Sequence, residues 1–278
     1  MKAGAFDYVR PQSLAEALAV LGAADGEAQL MAGGQSLVAM LNLRAAAPKL
    51  VIDIGRLVEL KEVSETADAV DYGACVTHAA IEDGRVPDPS RGLMAKAASG
   101  IAYRAVRCWG TIGGSLALAD PAAEWPTVLA ALGAQASLRG PGGRRAVDCA
   151  DFVTGVYETC LRNDEMIDGI RIPRMSPDAR WAYVKFCRKS GAFADSLAAI
   201  VRDPARSFAR AVLGAANGKP LVLTRLSALI AAGSGSSDAI ESAIATDLAA
   251  AAPERQFDEL TIALHTAIAA RAAAEALG

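Results

Sequence analysis

Two short stretches carry the residue types best suited to chemistry. Met31 to Arg44 reads MAGGQSLVAMLNLR and Trp109 to Ala117 reads WGTIGGSLA, each with a Gly-Gly pair after an apolar residue and shortly before Ser-Leu. Glycine has no Cβ, so consecutive backbone N–H groups can converge on one point, and the hydroxyls of Ser36, Thr111 and Ser115 add donors. Such a nest suits an anion. Two nests from distant parts of one chain could hold both phosphates of a dinucleotide while their apolar neighbours pack on its rings. One Gly-Gly pair alone reads as a tight turn, and the recurrence of the pattern is what argues for a site. Neither stretch has the G-x-G-x-x-G or G-x-x-x-x-G-K-[ST] spacing, which disfavours a Rossmann site and a P-loop.

Other chemistries find less support. Cys75, Cys108, Cys149, Cys160 and Cys187 are dispersed, with no C-x-x-C and no histidine beside a cysteine, so no iron–sulfur or zinc site is expected in this chain. His78, after Thr77 at a helix start, and His265, in a terminal helix, read as structural. No acid–base pair or nucleophile stands out. A formal charge of -3 with interspersed signs excludes the basic stripe of a nucleic-acid binder. The start has no apolar leader and no later run reads as long enough to cross a bilayer, so a cytoplasmic protein is expected. The abundant alanine reads as helix and small core positions.

The elements that must position the glycine stretches form an α+β pattern. Strands are expected at Phe6–Val9, Gln29–Met31, Lys49–Ile54, Ala69–Val76, Ala134–Leu138 and Glu165–Ile172. Helices are expected from the capping box at Ser13–Glu16 through Leu21, after Thr77, and over Arg91–Tyr103 and Ala122–Leu132. The prolines at 173 and 177 mark a domain boundary, giving domains 1–174 and 175–278. Beyond it, Arg180–Arg188, Ser196–Val201 and Phe208–Leu213, with turns at Ser190-Gly191, Asp203-Pro204 and Asn217-Gly218, predict a three-stranded antiparallel meander. Helices follow over Ala239–Ala251 and Asp258–Leu277, and Gly233–Ser237 reads as a flexible loop.

Taken together, Ala32-Gly-Gly-Gln-Ser-Leu37, Lys49-Leu-Val-Ile-Asp-Ile54 and Gly110-Thr-Ile-Gly-Gly-Ser-Leu-Ala117 with Asp120-Pro121 and Pro126 closely resemble one family. It is the FAD-binding medium subunits of molybdenum hydroxylases, the xanthine dehydrogenase and carbon monoxide dehydrogenase flavoproteins. Phe6-Asp7-Tyr8, Arg10-Pro11, Ile170–Pro173 and Lys185–Phe193 extend the likeness over most of the chain. The resemblance implies a two-part FAD-binding domain of the PCMH, or vanillyl-alcohol-oxidase-like, type, followed by a smaller domain with the three-stranded antiparallel sheet and helices. It assigns the FAD pyrophosphate to Ala32, Gly33, Gly34, Gln35 and Ser36 and to Thr111, Ile112, Gly113, Gly114 and Ser115, with Leu37 and Leu116 flanking. Asp120 matches an aspartate close to the cofactor, with helix capping as its alternative role. Lys185 matches a lysine near the flavin, where a cation would stabilise charge on the reduced ring, with an exposed strand lysine as its alternative. Phe193 matches an aromatic beside the isoalloxazine, with a core phenylalanine as its alternative. The chain departs from the family pattern at Gln35, Ser115 and Ala192.

The same resemblance implies that FAD resides in this chain while the [2Fe-2S] clusters and the molybdopterin cofactor reside on a small iron–sulfur subunit and a large molybdopterin subunit, in a dimer of heterotrimers. Electrons would pass from the clusters to FAD and on to an external acceptor. The competing readings are a self-sufficient flavin oxidase or reductase and a non-catalytic assembly subunit.

Overall fold

The computed structural model describes residues 2–278. Its first lobe is small and parallel. Strand β1 (Asp7–Val9), helix α1 (Leu14–Ala23), β2 (Ala28–Met31), α2 (Leu37–Leu43) and β3 (Leu50–Asp53) form a sheet of order β1-β3-β2. Ser13 caps α1 by accepting from Glu16 N, while the Glu16 carboxylate accepts from Gln12 N, one residue before the partner an ideal capping box would use. Leu14, Ala17 and Leu21 recur at helical spacing and bury one face of α1 against Ile52 and Ile54.

The second lobe is antiparallel and larger. Chain order is β4 (Val63–Glu65), β5 (Ala69–Gly73), α3 (His78–Glu82), α4 (Leu93–Ser99), α5 (Arg104–Arg107), α6 (Ile112–Leu118), α7 (Glu124–Leu132), β6 (Gln135–Gly140), β7 (Gly143–Asp148), α8 (Cys149–Phe152), the hairpin β8 (Val153–Gly155) and β9 (Glu158–Thr159), and β10 (Met166–Pro173). The sheet order β4-β5-β10-β6-β7 puts the late strand β10 in the centre, with a bulge at Asp168. The helix expected over Arg91–Tyr103 is shorter, Leu93–Ser99 with Gly100 as its C-cap; Ala102, at a positive φ of 43°, lies in the turn before α5. Helix α7 contains Pro126 within its first turn, where no intrahelical N–H is lost, and Gly133 in the left-handed region ends it.

The last region pairs β11 (Arg180–Phe186), β12 (Ser196–Asp203), β13 (Phe208–Gly214) and β14 (Leu221–Val222) antiparallel, followed by α9 (Thr224–Ala232), α10 (Ser237–Arg255) and α11 (Glu259–Leu277). The expected three-stranded sheet is thus corrected to four: β14 joins its edge through only two residue pairs, too short to show a period-2 pattern. Helix α9 was not expected. The Gly233–Ser237 run is a connection that carries two caps, Gly233 in the left-handed region ending α9 and Ser236 accepting from Ala239 N to start α10. Helix α10 continues through Pro253 to Arg255, whose buried guanidinium donates to the carbonyls of Ala216 and Lys219 and ties the helix end to the sheet. By length and composition α11, with mean hydropathy 1.2, is long and apolar enough to cross a membrane, which corrects the expectation that no segment is. Here it packs Ile268, Ala269, Ala272 and Ala273 into the core shared with Ala182, Val184 and Ile200 of the four-stranded sheet.

The other face of that sheet supplies Ala199, Val201 and Val212 to a core built around Trp125, Leu129 and Leu132 of α7. The architecture is therefore α+β throughout, with α7 packed between the second lobe and the last sheet.

Candidate functional site

The two glycine stretches meet. The first leaves the end of β2 and enters α2, and the second runs from α5 into α6. A Cβ on Gly33 would lie 1.9 Å from the carbonyl oxygen of Trp109, so the first stretch crosses directly over the backbone of the second. Gly114 faces Ala32 from the other side, a Cβ there coming 3.8 Å from that of Ala32. A cavity of about 640 Å³ opens along this seam, and both stretches line it. That volume lies within the range of small-molecule sites.

Each glycine has its own steric reason. Gly33 is bare because of Trp109, and Gly34 because its φ is +71°. Gly113 lies against the backbone of Ala74, and Gly110 against the His78 ring. The close approach that removes these side chains is therefore between parts of the protein.

The donors divide unequally. In the second stretch Ile112 N donates to Val76 O, Gly113 N to Ala74 O, Gly114 N to Thr111 Oγ1 and Ser115 N to Thr111 O. Those four are satisfied within the chain, and the stretch is the capped first turn of α6. In the first stretch the N–H groups of Gly33, Gly34, Gln35, Ser36 and Leu37 donate to no acceptor among the described residues. Ser36 begins α2 without a side-chain cap. Five successive unpaired donors on a cavity wall form an anion nest, and buried or half-buried N–H groups demand a partner. Arg162 is the one arginine or lysine along the described lining, so an anion here would be held mainly by backbone dipoles and hydroxyls.

Of the residues singled out in the sequence, Ala32, Gly33, Gly34, Gln35, Ser36, Leu37, Thr111, Gly113, Gly114, Ser115, Asp120 and Phe193 line the cavity. Ile112 and Leu116 are fully buried beneath it, fixing α6 to the core. Asp120 does not cap α7, whose N-cap is Ala123. It accepts from Ala122 N at 2.9 Å and from the Tyr157 hydroxyl at 3.0 Å. Phe193 is 62% exposed, which excludes the core reading. Its turn is held by Gly191, packed against the carbonyl of Ala102.

Lys185 stands one residue back from the lining. Its Nζ is 2.6 Å from Glu124 Oε1 and 3.2 Å from Gly100 O, with both side chains buried, so its charge is spent on that pair. Burial pushes the Glu124 carboxyl above the usual range, and Lys185 opposes the shift. Glu124 itself lines the cavity.

Sequence reasoning passed over His78, Glu124, Leu161, Asn163 and Ile167, which also line it. For His78 the Thr77 cap gave its place in a helix start, but nothing local showed which way the ring points. Leu161–Ile167 reaches the cavity because β10 returns to the centre of the sheet, a pairing across a long stretch of chain.

Comparison with known proteins agrees with this geometry. Residues 4–175 match the family described as the FAD binding domain in molybdopterin dehydrogenase. The chain is 38% identical over 202 residues to the caffeine dehydrogenase subunit beta of Pseudomonas sp. (strain CBB1), covering 72% of this chain and 68% of that one. It is 37% identical over 222 residues to the nicotine 6-hydroxylase medium subunit of Paenarthrobacter nicotinovorans, covering 79% and 77%. Among solved structures, a carbon monoxide dehydrogenase from Hydrogenophaga pseudoflava superposes with a TM-score of 0.91 at 33% identity, over 99% of this chain and 98% of the other. Quinoline 2-oxidoreductase from Pseudomonas putida 86 gives 0.83 at 32% identity, over 100% and 98%. With the match covering more than half of the sequence and curated relatives this similar, the chain belongs to the FAD-binding family of the molybdopterin dehydrogenases, whose members are subunits of molybdenum-containing oxidoreductases.

Proposed function

We propose that this chain is the electron-transfer flavoprotein of a heteromeric molybdenum hydroxylase, receiving electrons from the [2Fe-2S] clusters of a small partner subunit and delivering them to an external acceptor. A large molybdopterin subunit would complete the unit, in a cytoplasmic dimer of heterotrimers. The observation that carries the reading is the run of five free N–H groups at Gly33–Leu37, on the wall of a cavity closed by the second glycine stretch. The names of the relatives, a medium subunit and a subunit beta, support a place within a larger assembly.

Bound FAD would supply the redox chemistry, and the chain would position it. In this reading Gly33–Leu37 hold the pyrophosphate through backbone N–H groups, and the hydroxyls of Ser36, Thr111 and Ser115 add hydrogen bonds. Ala32, Gly113 and Gly114 keep the floor low, while Ile112 and Leu116 anchor it from below. Gln35 and Asp120 sit at the rim. Phe193 offers an apolar ring to the flavin, and Lys185 acts through Glu124. The division into an FAD-binding domain over 1–174 and a second domain over 175–278 belongs to the same proposal.

Two measurements test it. The purified full chain should bind one equivalent of FAD and show a flavin spectrum, and a chain that takes up none overturns the cofactor assignment. A tagged chain expressed from its native operon should bring down an iron–sulfur protein and a molybdopterin protein. A flavin-loaded chain that oxidises a small substrate unaided would replace the subunit reading with a self-sufficient oxidase.

A further inference from the structure

The cavity carries a polar group that neither glycine stretch supplies. His78 begins α3, is 4% exposed and borders the cavity. The indole Nε1 of Trp125 approaches its Nδ1 at 3.0 Å. An indole N–H can only donate, so Nδ1 must present its lone pair. Burial pulls the imidazole pKa down to about 4, so the neutral ring carries its single hydrogen on Nε2.

That Nε2–H has no acceptor among the described residues. His265 provides the contrast: its Nδ1 pairs with Ser196 Oγ, and its Nε2 is sealed in the core without a partner. His78 Nε2 is not among the sealed, unpartnered atoms, so it stays open where the residue borders the cavity. Gly110 keeps it open. A Cβ at position 110 would lie 2.8 Å from both Nε2 and Cδ2 of His78 and 3.2 Å from the carbonyl of Val106. The first glycine of WGTIGG therefore uncovers a donor.

The position also tells which half of a dinucleotide it would meet. Gly110 N donates to Val106 O, and Val106 precedes Arg107, whose guanidinium donates to the carbonyls of Ile101 and Ala102. A Cβ on Gly191, in the turn that bears Phe193, would meet that same Ala102 carbonyl. This chain of contacts links His78 to the turn that bears Phe193. Ala28–Leu30 and Leu161–Asn163 also line the cavity, with Asn163 beside Gly26.

We propose that His78 is a cofactor-contacting residue whose Nε2–H donates a hydrogen bond to an acceptor atom on the flavin half of bound FAD, with Trp125 as the positioning residue that fixes its tautomer. The assignment rests on the functional reading above. It makes His78–Trp125 a polar clamp on the flavin built from side chains, distinct from the backbone N–H groups of the pyrophosphate nest.

The test uses the full-length chain titrated with FAD and, separately, with ADP, which lacks the flavin half. His78→Leu should weaken FAD about tenfold, shift the visible absorption of the bound flavin and leave ADP affinity unchanged. His78→Gln keeps an acceptor for Trp125 and an N–H for the cavity, and should restore FAD affinity to within about threefold together with the parental spectrum. If the leucine variant fails to fold by circular dichroism, Trp125→Phe decides: it keeps the imidazole but releases its tautomer, and FAD should weaken about threefold with a spectral shift. A folded His78→Leu chain with unchanged FAD affinity and spectrum overturns the assignment, as does equal loss of FAD and ADP affinity or an unaltered Trp125→Phe chain. Parental protein that takes up no FAD overturns the functional reading and this assignment with it.

Discussion

The two glycine stretches look like copies in the sequence and behave as opposites in the structure. The second spends its N–H groups on Val76, Ala74 and its own Thr111, becoming a capped helix start built into the fold. The first leaves five donors free and relies on the second as a backstop at Trp109. One stretch is architecture and the other is the site it supports. A repeated motif thus need not be a repeated function, and counting where the donors go separates the two.

Breaking the contact between the stretches should have the largest effect. Gly33→Val forces a side chain into the Trp109 carbonyl and should cost about 3 kcal/mol in denaturant unfolding and abolish FAD binding. A variant with parental stability and flavin content would show that the stretches are not locked together. Gly34→Val strains a backbone at φ +71° and turns the neighbouring N–H groups aside. We expect about 2 kcal/mol of lost stability, and a dissociation constant for FAD raised about a hundredfold, in a chain that remains folded by circular dichroism. Full flavin occupancy would reduce this stretch to a turn.

Acid sharpens the comparison from the side of the second stretch, because His78 N is bonded to Gly110 O just before it. Burial lowers both His78 and His265 from the ordinary 6.5 to about 4. The unfolded chain therefore binds more protons between those values, and stability should fall as pH drops from 6.5 toward 4. His265→Gln should halve that slope in urea midpoints taken across the range, and an unchanged slope would mean the histidines are not its source. The smallest effects come from the two hydroxyls. Thr111→Ala removes a cap bond and should cost about 1 kcal/mol of stability with FAD affinity altered less than about threefold. Ser36→Ala removes no cap, so thermal unfolding should move little while FAD binding weakens about fivefold. If the two variants exchange these signatures, the roles of the stretches are reversed.

Much of this site was legible before the fold. The paired Gly-Gly stretches, the Ser13 and Thr77 caps and the meander after Arg180 are local signals, and local signals survive in a sequence. The elements that escaped were short or set by distant partners. Strand β14 has two residues, and the helix expected through Tyr103 stops at Ser99, before the turn at Ala102 against which Gly191 packs from far along the chain. The charge on Lys185 was legible, but its burial against Glu124 was not, because the partner lies 61 residues away. The His78 ring depends on Trp125 for its tautomer and on Gly110 for its exposure, three residues with no sequence pattern in common.

Helix α7 sets a limit on how the molecule can breathe. All nine of its residues, Glu124 to Leu132, are buried, packed by α4, α6 and β10 on one side and by β12 and β13 on the other. A rod without a wet face offers no plane along which its neighbours can slide, so the last sheet and the second lobe do not hinge about it. Its backbone amides should exchange with deuterium only as fast as the whole protein unfolds. The cavity wall bearing Glu124 is then as rigid as the protein's core, and a cofactor would enter or leave by rearranging the loops at the rim.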